Sequence, residues 1–478
     1  MRLLERLSKP GKDGHLSGRE KFFLALPIPA SSLSNVLIHN VYIKLYTDII
    51  GLSPVYVGLV YLVYNIWNFL NDPLIGVMID RRKVDPRRGK FLHLMRVSVP
   101  FMLLCLVAML FSQPSWPQWL IFAALLVELF IFDTFFTAYT VAANSLILVA
   151  AASKEERVDV NVIQAYVANI VSFFATLVPT FLLVGNREGS HTQIALILMG
   201  VVALNAGIYF WALRNLKDRP SYYALGNPEG SLSLNTLWAD IKPLLGSRTF
   251  RTWAGYNLLA LAPNAVYFTA FLYLMDHVIK TGGLEATLAD VVPMLVVFAL
   301  LPLMARFIKK EGGKKAILWG SLPYVLGHVW LFFTGSWLMV LLAYIPIMIG
   351  KYLMSTGGVP LGAALVDENE RLTGTRKPGL IGALLALIAA PALSSQLMIF
   401  MGILEAFGYR AKAPVQTAQA VLGIRVGTAI VPIVFVLLGL IPLLRFPINR
   451  EMEEELSQYS QQRRRGGAAD AEEGLTGE

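Results

Sequence analysis

The sequence predicts an all-α polytopic membrane protein with twelve transmembrane helices arranged as two six-helix halves. Three observations carry this. Of 478 residues, 55% are hydrophobic and only 15% are charged, where soluble proteins carry about 25%, so a soluble enzyme is excluded. The apolar residues gather in runs of roughly 20 or more, the length that crosses a bilayer core. Lys and Arg cluster in the short stretches between the runs. The formal net charge of +9 comes with no basic stripe, interleaved aromatics or nucleic-acid motif. It therefore reads as topology, and no nucleic-acid partner is expected.

The runs fall at 22–46, 54–79, 92–111, 117–148, 159–184, 193–214, 250–276, 286–306, 315–335, 337–365, 379–404 and 413–445. The fourth, tenth and twelfth exceed one bilayer thickness and are expected to tilt or project into water. With the N-terminus inside, the inner loops hold Arg81, Arg82, Lys83, Arg87, Arg88, Lys90, Lys154, Arg157, Lys309, Lys310, Lys314, Lys315, Arg371, Arg376 and Lys377. The outer loops then hold only Arg187, Lys280, Arg410 and Lys412, which places both termini in the cytoplasm of a cell membrane, inner or plasma. The predicted divisions are a cytoplasmic segment 1–21, a first half 22–214, a cytoplasmic linker 215–249, a second half 250–445 and a partly disordered cytoplasmic tail 446–478. The halves echo each other in their basic loops, Asp80-Arg81-Arg82 with Arg87-Arg88-Gly89-Lys90, and Lys309-Lys310-Glu311-Gly312-Gly313-Lys314-Lys315. Parallel six-helix halves with nested repeats form one large membrane architecture.

Chemistry-bearing motifs are sparse. Cys105 is the one cysteine, so no intramolecular disulfide or cysteine-based metal site is possible. No short apolar segment with a small-residue cleavage site follows the charged first 21 residues, and insertion is expected to use the first helix uncleaved. The six histidines, at 15, 39, 93, 191, 277 and 328, never fall three or four apart. HExxH, GxSxG and P-loop motifs are missing too, so neither an enzyme nor a cofactor is expected.

Intramembrane polar residues remain, and such residues are functional candidates by default. On the second helix Asn68, Asn71 and Asp72 stand at i, i+3 and i+4, on one face that Asn65 extends. Asp72 is therefore a functional candidate or, alternatively, caps or salt-bridges the cytoplasmic end of the bundle. Ser32, Asn35, His39 and Tyr42 share a predicted face of the first helix, and Asp133, Thr137, Thr140 and Asn144 one of the fourth, with Glu128 off that stripe. In the second half Lys351 lies mid-span on the tenth helix, Arg425 on the twelfth, and Asn257, Asn264 and Tyr267 on the seventh. One reading has Lys351, with His39 or Arg425, bind an anionic or highly polar solute, balanced in the empty state by Asp133 or Glu128. The other makes these charges inter-helix salt bridges. Lys44 and Asp48 read as an interfacial ion pair.

Tyr46-Thr47-Asp48, Gly51-Leu52-Ser53, Trp67, Asn71-Asp72-Pro73-Leu74-Ile75-Gly76, Asp80-Arg81 and Gly89-Lys90-Phe91 resemble the glycoside-pentoside-hexuronide:cation symporters. These are the melibiose-permease-like branch of the major facilitator superfamily. Val366-Asp367-Glu368, Glu370 and Gln416-Thr417-Ala418-Gln419-Ala420-Val421-Leu422-Gly423 add weaker matches. The resemblance implies the major facilitator fold and alternating-access symport of a small sugar-like solute with a proton, sodium or lithium. It also implies a cation site at Asp72 with Thr137 as hydroxyl ligand. Asn68 stands where such proteins have a second carboxylate, so a possible sodium site at Asp72 competes with a single protonatable acid. The family's sugar-binding charges fall here at Ser32, Thr140, Gln164 and Ala390, which puts galactoside recognition in doubt, since neutral groups hydrogen-bond sugars more weakly than carboxylates do. Asp80, Arg81 and Arg88 are expected to latch the outward-facing state or simply to anchor the inner surface. A monomer is expected. A lipid or lysolipid carrier and an uncoupled transporter-like sensor remain the alternatives.

Overall fold

The computed structural model describes residues 16–81, 89–151, 191–219, 241–260, 263–374, 378–411 and 415–456, with isolated positions between 156 and 184 and at 413, 458 and 459. Among the described residues there are helices and no β-strands. In chain order they are α1 (Gly18–Ile50), α2 (Pro54–Arg81), α3 (Phe91–Phe111), α4 (Gln118–Ala150), α5 (His191–Asn215) and α6 (Arg248–Ala260). Then follow α7 (Pro263–Tyr273, continued by a π-helical turn Leu274–Ile279), α8 (Gly283–Glu311), α9 (Gly313–Phe332), α10 (Trp337–Thr373), α11 (Pro378–Ala406) and α12 (Ala418–Arg445). Among the described residues, α1, α3, α4, α5, α8, α10 and α12 are long and apolar enough to cross a membrane. Half of the fifth predicted run lies outside the described residues. The seventh run contains both α6 and α7.

Helix ends depart from the predicted runs for local reasons. A capping box in which Ser17 Oγ accepts the Glu20 N–H and Glu20 accepts the Ser17 N–H starts α1 at Gly18. Helix α10 runs through the charged stretch Asp367–Arg371 and stops at Gly374, whose φ of 73° makes a left-handed cap. Two π-helical turns, Leu37–Val41 and Leu45–Ile50, interrupt α1.

The chain divides into two compact units, Met1–Gly230 with Lys280–Leu284 and Leu397–Ala420, and Ser231–Ile279 with Glu285–Gln396 and Val421–Glu478. In the first unit α4 packs against both α2 and α3, with ring stacks Trp67–Phe130 (5.0 Å) and Phe101–Phe135 (4.3 Å). In the second, α9 and α10 meet along a glycine seam. Gly313, Gly320 and Gly327 on α9 lie against Gly357, Gly350 and Ala343 with Ile347 on α10. A Cβ at Gly350 would sit 2.6 Å from Tyr324 Cβ, so only glycine allows this approach. Small residues play this role between membrane helices, where lipid removes most of the hydrophobic drive for association.

Each unit fastens two of its helices in the same way, α3 to the end of α5 and α9 to the end of α12. Asp218, just past α5, accepts the N–H groups of Lys90, Phe91 and Leu92 at 3.0, 2.9 and 3.0 Å, while Arg96 on α3 donates to the Leu213 carbonyl. Glu453, just past α12, accepts the Gly313 N–H at 3.1 Å, while Lys314 on α9 donates to the carbonyls of Leu444 and Phe446. Acid thus meets helix N-terminus and base meets helix C-terminus, the sense that the helix dipole favours. The preceding Gly89 and Gly312 both take positive φ, 70° and 82°.

Candidate functional site

The polar centre of the first unit is built by α2 and α4. Helical spacing puts Asn68 and Asn71 side by side, and Asp133 on α4 accepts from both, at 2.6 and 3.1 Å. Asp133 has no exposed surface, and Tyr64 on α2 adds its hydroxyl beside it. One turn along α4, buried Thr137 donates to Asp72 Oδ1 at 2.8 Å. Asp72 is exposed, and Thr137 is the one side chain hydrogen-bonded to it among the described residues. The two carboxylates lie near enough for their charges to interact. Two acids with amide and hydroxyl oxygens nearby can take up a small hard cation, which prefers oxygen ligands, or share a proton, since adjacent carboxylates resist double ionisation.

Asp133 accepts hydrogen bonds from two of the predicted cation ligands. Read as a substrate residue, it stands with the predicted cation ligands Asn68, Asn71, Asp72 and Thr137. The carboxylate missing at position 68 is therefore matched by one from α4. Other predicted residues scatter. His39 is half-buried against Tyr61 and Tyr64, with ring centroids 6.1 and 5.9 Å away. Ser32 bonds back to the Ile28 carbonyl, Thr140 to the Thr137 carbonyl, Asn35 is exposed and Gln164 is half-buried. The predicted α1 stripe does not hold together: the π-helical turn at Leu37–Val41 breaks the 3.6 period, and Tyr42 points to the Leu106 carbonyl instead. Lys44 and Asp48 do pair, yet Lys44 is 1% exposed, and Asp48 also accepts from the Tyr409 hydroxyl. Arg88 and the side chains of Asp80, Arg81 and Asn264 lie outside the described residues.

The second unit contains a cavity of about 220 Å³ whose lining includes Lys351, Trp253, Tyr256, Asn257, Tyr324 and Ser355. Lys351 Nζ sits 4.4 Å from the centroid of the Tyr267 ring. Within this unit the acid that interacts with it is Asp290 on α8; Asp133 and Glu128 belong to the first unit. Arg425 donates to the Phe332 carbonyl at the end of α9 and closes that helix. Sequence reading missed Asp290, Trp253 and Tyr64. The signal for Asp290 was available: one acid inside the eighth apolar run, and one lysine inside the tenth.

Residues 23–450 match the MFS/sugar transport protein family. The chain belongs to this family. As a member of it, the chain is a multi-pass membrane transporter of small molecules and not an enzyme. It is 24% identical over 459 residues to the isoprimeverose transporter of Lactiplantibacillus pentosus, covering 92% of this chain and 91% of that one. It is 23% identical to the glucuronide carrier protein homolog of Escherichia coli K12, covering 86% and 88%. Among solved structures, the nucleoside transporter NupG superposes with a TM-score of 0.61 at 13% identity, over 94% of this chain and all of that one. A bacterial homologue of the lysosomal transporter Spinster gives 0.62 at 14% identity, over 91% and 97%. The MFS transport fold is thus shared well beyond the range of recognisable sequence similarity.

Proposed function

We propose that this chain is a cation-coupled symporter that carries a sugar-like or organic-anion solute by alternating access in a cell membrane, with both termini cytoplasmic. The coupling ion is a proton or sodium, and no cofactor takes part. The observation that carries the reading is the carboxylate pair Asp72 and Asp133, held by Asn68, Asn71 and Thr137 on α2 and α4. Two negative charges inside a membrane protein are costly until a cation neutralises one of them. Ion binding therefore favours whichever conformation places the oxygens best, and an ion gradient can bias the transport cycle by that difference in affinity. Buried Asp133, with its donors already in place, is the fixed half of the site; exposed Asp72 is the half an arriving ion reaches first. Relatives named for a glucuronide and for isoprimeverose support a sugar-like solute.

The test is thermal stability of the purified protein across sodium, lithium and pH, in wild type, Asp72→Asn and Asp133→Asn, followed by gradient-driven uptake in proteoliposomes. A ligand that binds only the folded state raises stability with the logarithm of its saturation. Sodium-dependent stabilisation lost in both variants identifies a sodium site that needs both acids. A response to pH alone, also lost in both, identifies proton coupling. Wild-type stability and uptake indifferent to every cation and to pH would refute coupling.

A further inference from the structure

We propose that the cavity of the second unit is a subsite for the anionic group of the carried solute, a carboxylate, sulfonate or phosphate, with Lys351 as its cationic partner and Asp290 as the counter-charge that the anion replaces. The inference rests on the transport reading above and names a site and a ligand class within it.

Lys351 is an ammonium in the interior of a membrane protein, where a charge needs a partner. Among the described residues no carboxylate is within ion-pairing distance of it, and its Nζ lies 4.4 Å from the centroid of the Tyr267 ring. A cation over an aromatic face keeps part of its stabilisation while leaving its donor directions open. Asp290 acts on it electrostatically without forming an ion pair. That arrangement stabilises the empty site without blocking it. The backbone that carries Lys351 is rigid, since Gly350 beside it is locked in the glycine seam against Gly320 and Tyr324.

The rest of the lining suits a sugar ring with a charged substituent. Trp253 and Tyr256 stack at 5.2 Å with 25° between their planes, which makes an aromatic platform for an apolar ring face. Gly358 of α10 lies beside the Trp253 indole in the same lining. Asn257 and exposed Ser355 supply neutral hydrogen-bonding groups. Lysine carries a full positive charge and only donates; its charge-assisted bond to an anion is stronger than one to a neutral hydroxyl, so this wall favours an anion. The volume of about 220 Å³ is below the roughly 300–1,000 Å³ of sites for drug-sized ligands, which suits one ring and not a lipid chain.

The experiment measures binding to the full-length purified protein of glucuronic acid, a sulfonated hexose and a hexose phosphate, each against its neutral hexoside, and of a lysophosphatidate. Wild type should bind at least one charged sugar at least tenfold tighter than its neutral counterpart. K351Q should abolish that preference and K351R keep most of it, while D290N, which removes the competing charge, should tighten anion binding severalfold. Cation-dependent stabilisation through Asp72 and Asp133 should persist in K351Q, which separates a lost subsite from a misfolded protein. Equal binding of charged and neutral sugars by wild type, a preference that survives K351Q, or lysophosphatidate bound tighter than every sugar would overturn the proposal. If K351Q does not fold, D290N decides, since weaker anion binding there would mean a structural pair. Anion preference without any cation response would refute coupling and leave the subsite standing.

Discussion

Asp133 has no exposed surface and accepts hydrogen bonds from two amides of a neighbouring helix, so its role depends on Asn68 and Asn71 as much as on itself. Hydrogen bonds to a charged group contribute about 1.5–3 kcal/mol, and Asn68→Ala should therefore weaken cation-dependent stabilisation by about 10- to 100-fold in apparent affinity, read from cation titrations of Tm. Asn68→Asp should do something different: a third carboxylate against Asp133 raises like-charge repulsion, so cation dependence should persist and its pH dependence shift. At this scale the sequence was legible where periodicity suffices. The spacing of Asn68, Asn71 and Asp72 placed them on one face, and that of Asp133 and Thr137 on another. Which face of α4 meets which face of α2 is a tertiary fact, so the bonds from Asn68 and Asn71 to Asp133 were not legible in the sequence. Asp290 stands out in the sequence as one acid inside an apolar run, but its link to Lys351, 61 positions away in the chain, is a tertiary fact.

Among the elements, the seam between α9 and α10 is the most exacting contact described. Gly350→Ala would drive a methyl into Tyr324 and the Gly320 carbonyl, and overpacking of this kind costs typically about 1–3 kcal/mol. A clear fall in Tm is expected, with weaker anion binding beside it. Gly207→Ala on α5 is the control, because nothing lies within 4 Å of its added Cβ; alanine's helix propensity exceeds glycine's by about 1 kcal/mol, so Tm should hold or rise. Element existence was readable from apolar runs, and their ends less so. The capping box at Ser17 and the extension of α10 past Asp367 depend on local hydrogen bonds that hydropathy does not register. The π-helical turns of α1 are invisible to any pattern that assumes a period of 3.6, and they are the reason its predicted polar stripe does not stay on one face.

At the scale of the whole molecule, the acid-and-base clasp recurs in both units, formed by Asp218 with Arg96 and by Glu453 with Lys314. Asp218→Ala leaves three backbone N–H groups at the start of α3 without this acceptor, and loss of such a cap costs about 0.5–2 kcal/mol. Combined with Glu453→Ala, the losses should add, because the two clasps share no partner; a double-mutant cycle on Tm measures this. Burial raises the carboxyl pKa of half-buried Glu453 despite its bond to Gly313. A raised acid pKa in the folded state gives stability that is present below the unfolded value and is lost as pH rises through the folded value. Glu453→Gln keeps an acceptor for Gly313 and removes the titration, so its stability should vary less with pH on the acid side of neutrality than that of wild type. The repeat of basic loops was legible in the sequence; the clasp was not, because its members are more than a hundred residues apart.

The clasp also sets where the chain tolerates a break. Asp218 completes the first half only from beyond the end of α5, so a gene divided between codons 219 and 241 would hand each fragment its own pair of fastenings. A division between codons 215 and 218 would strand Asp218 on the wrong piece and leave α3 frayed. Co-expression of the two pairs of fragments would thus read the outer limit of each duplicated module directly from which pair regains transport.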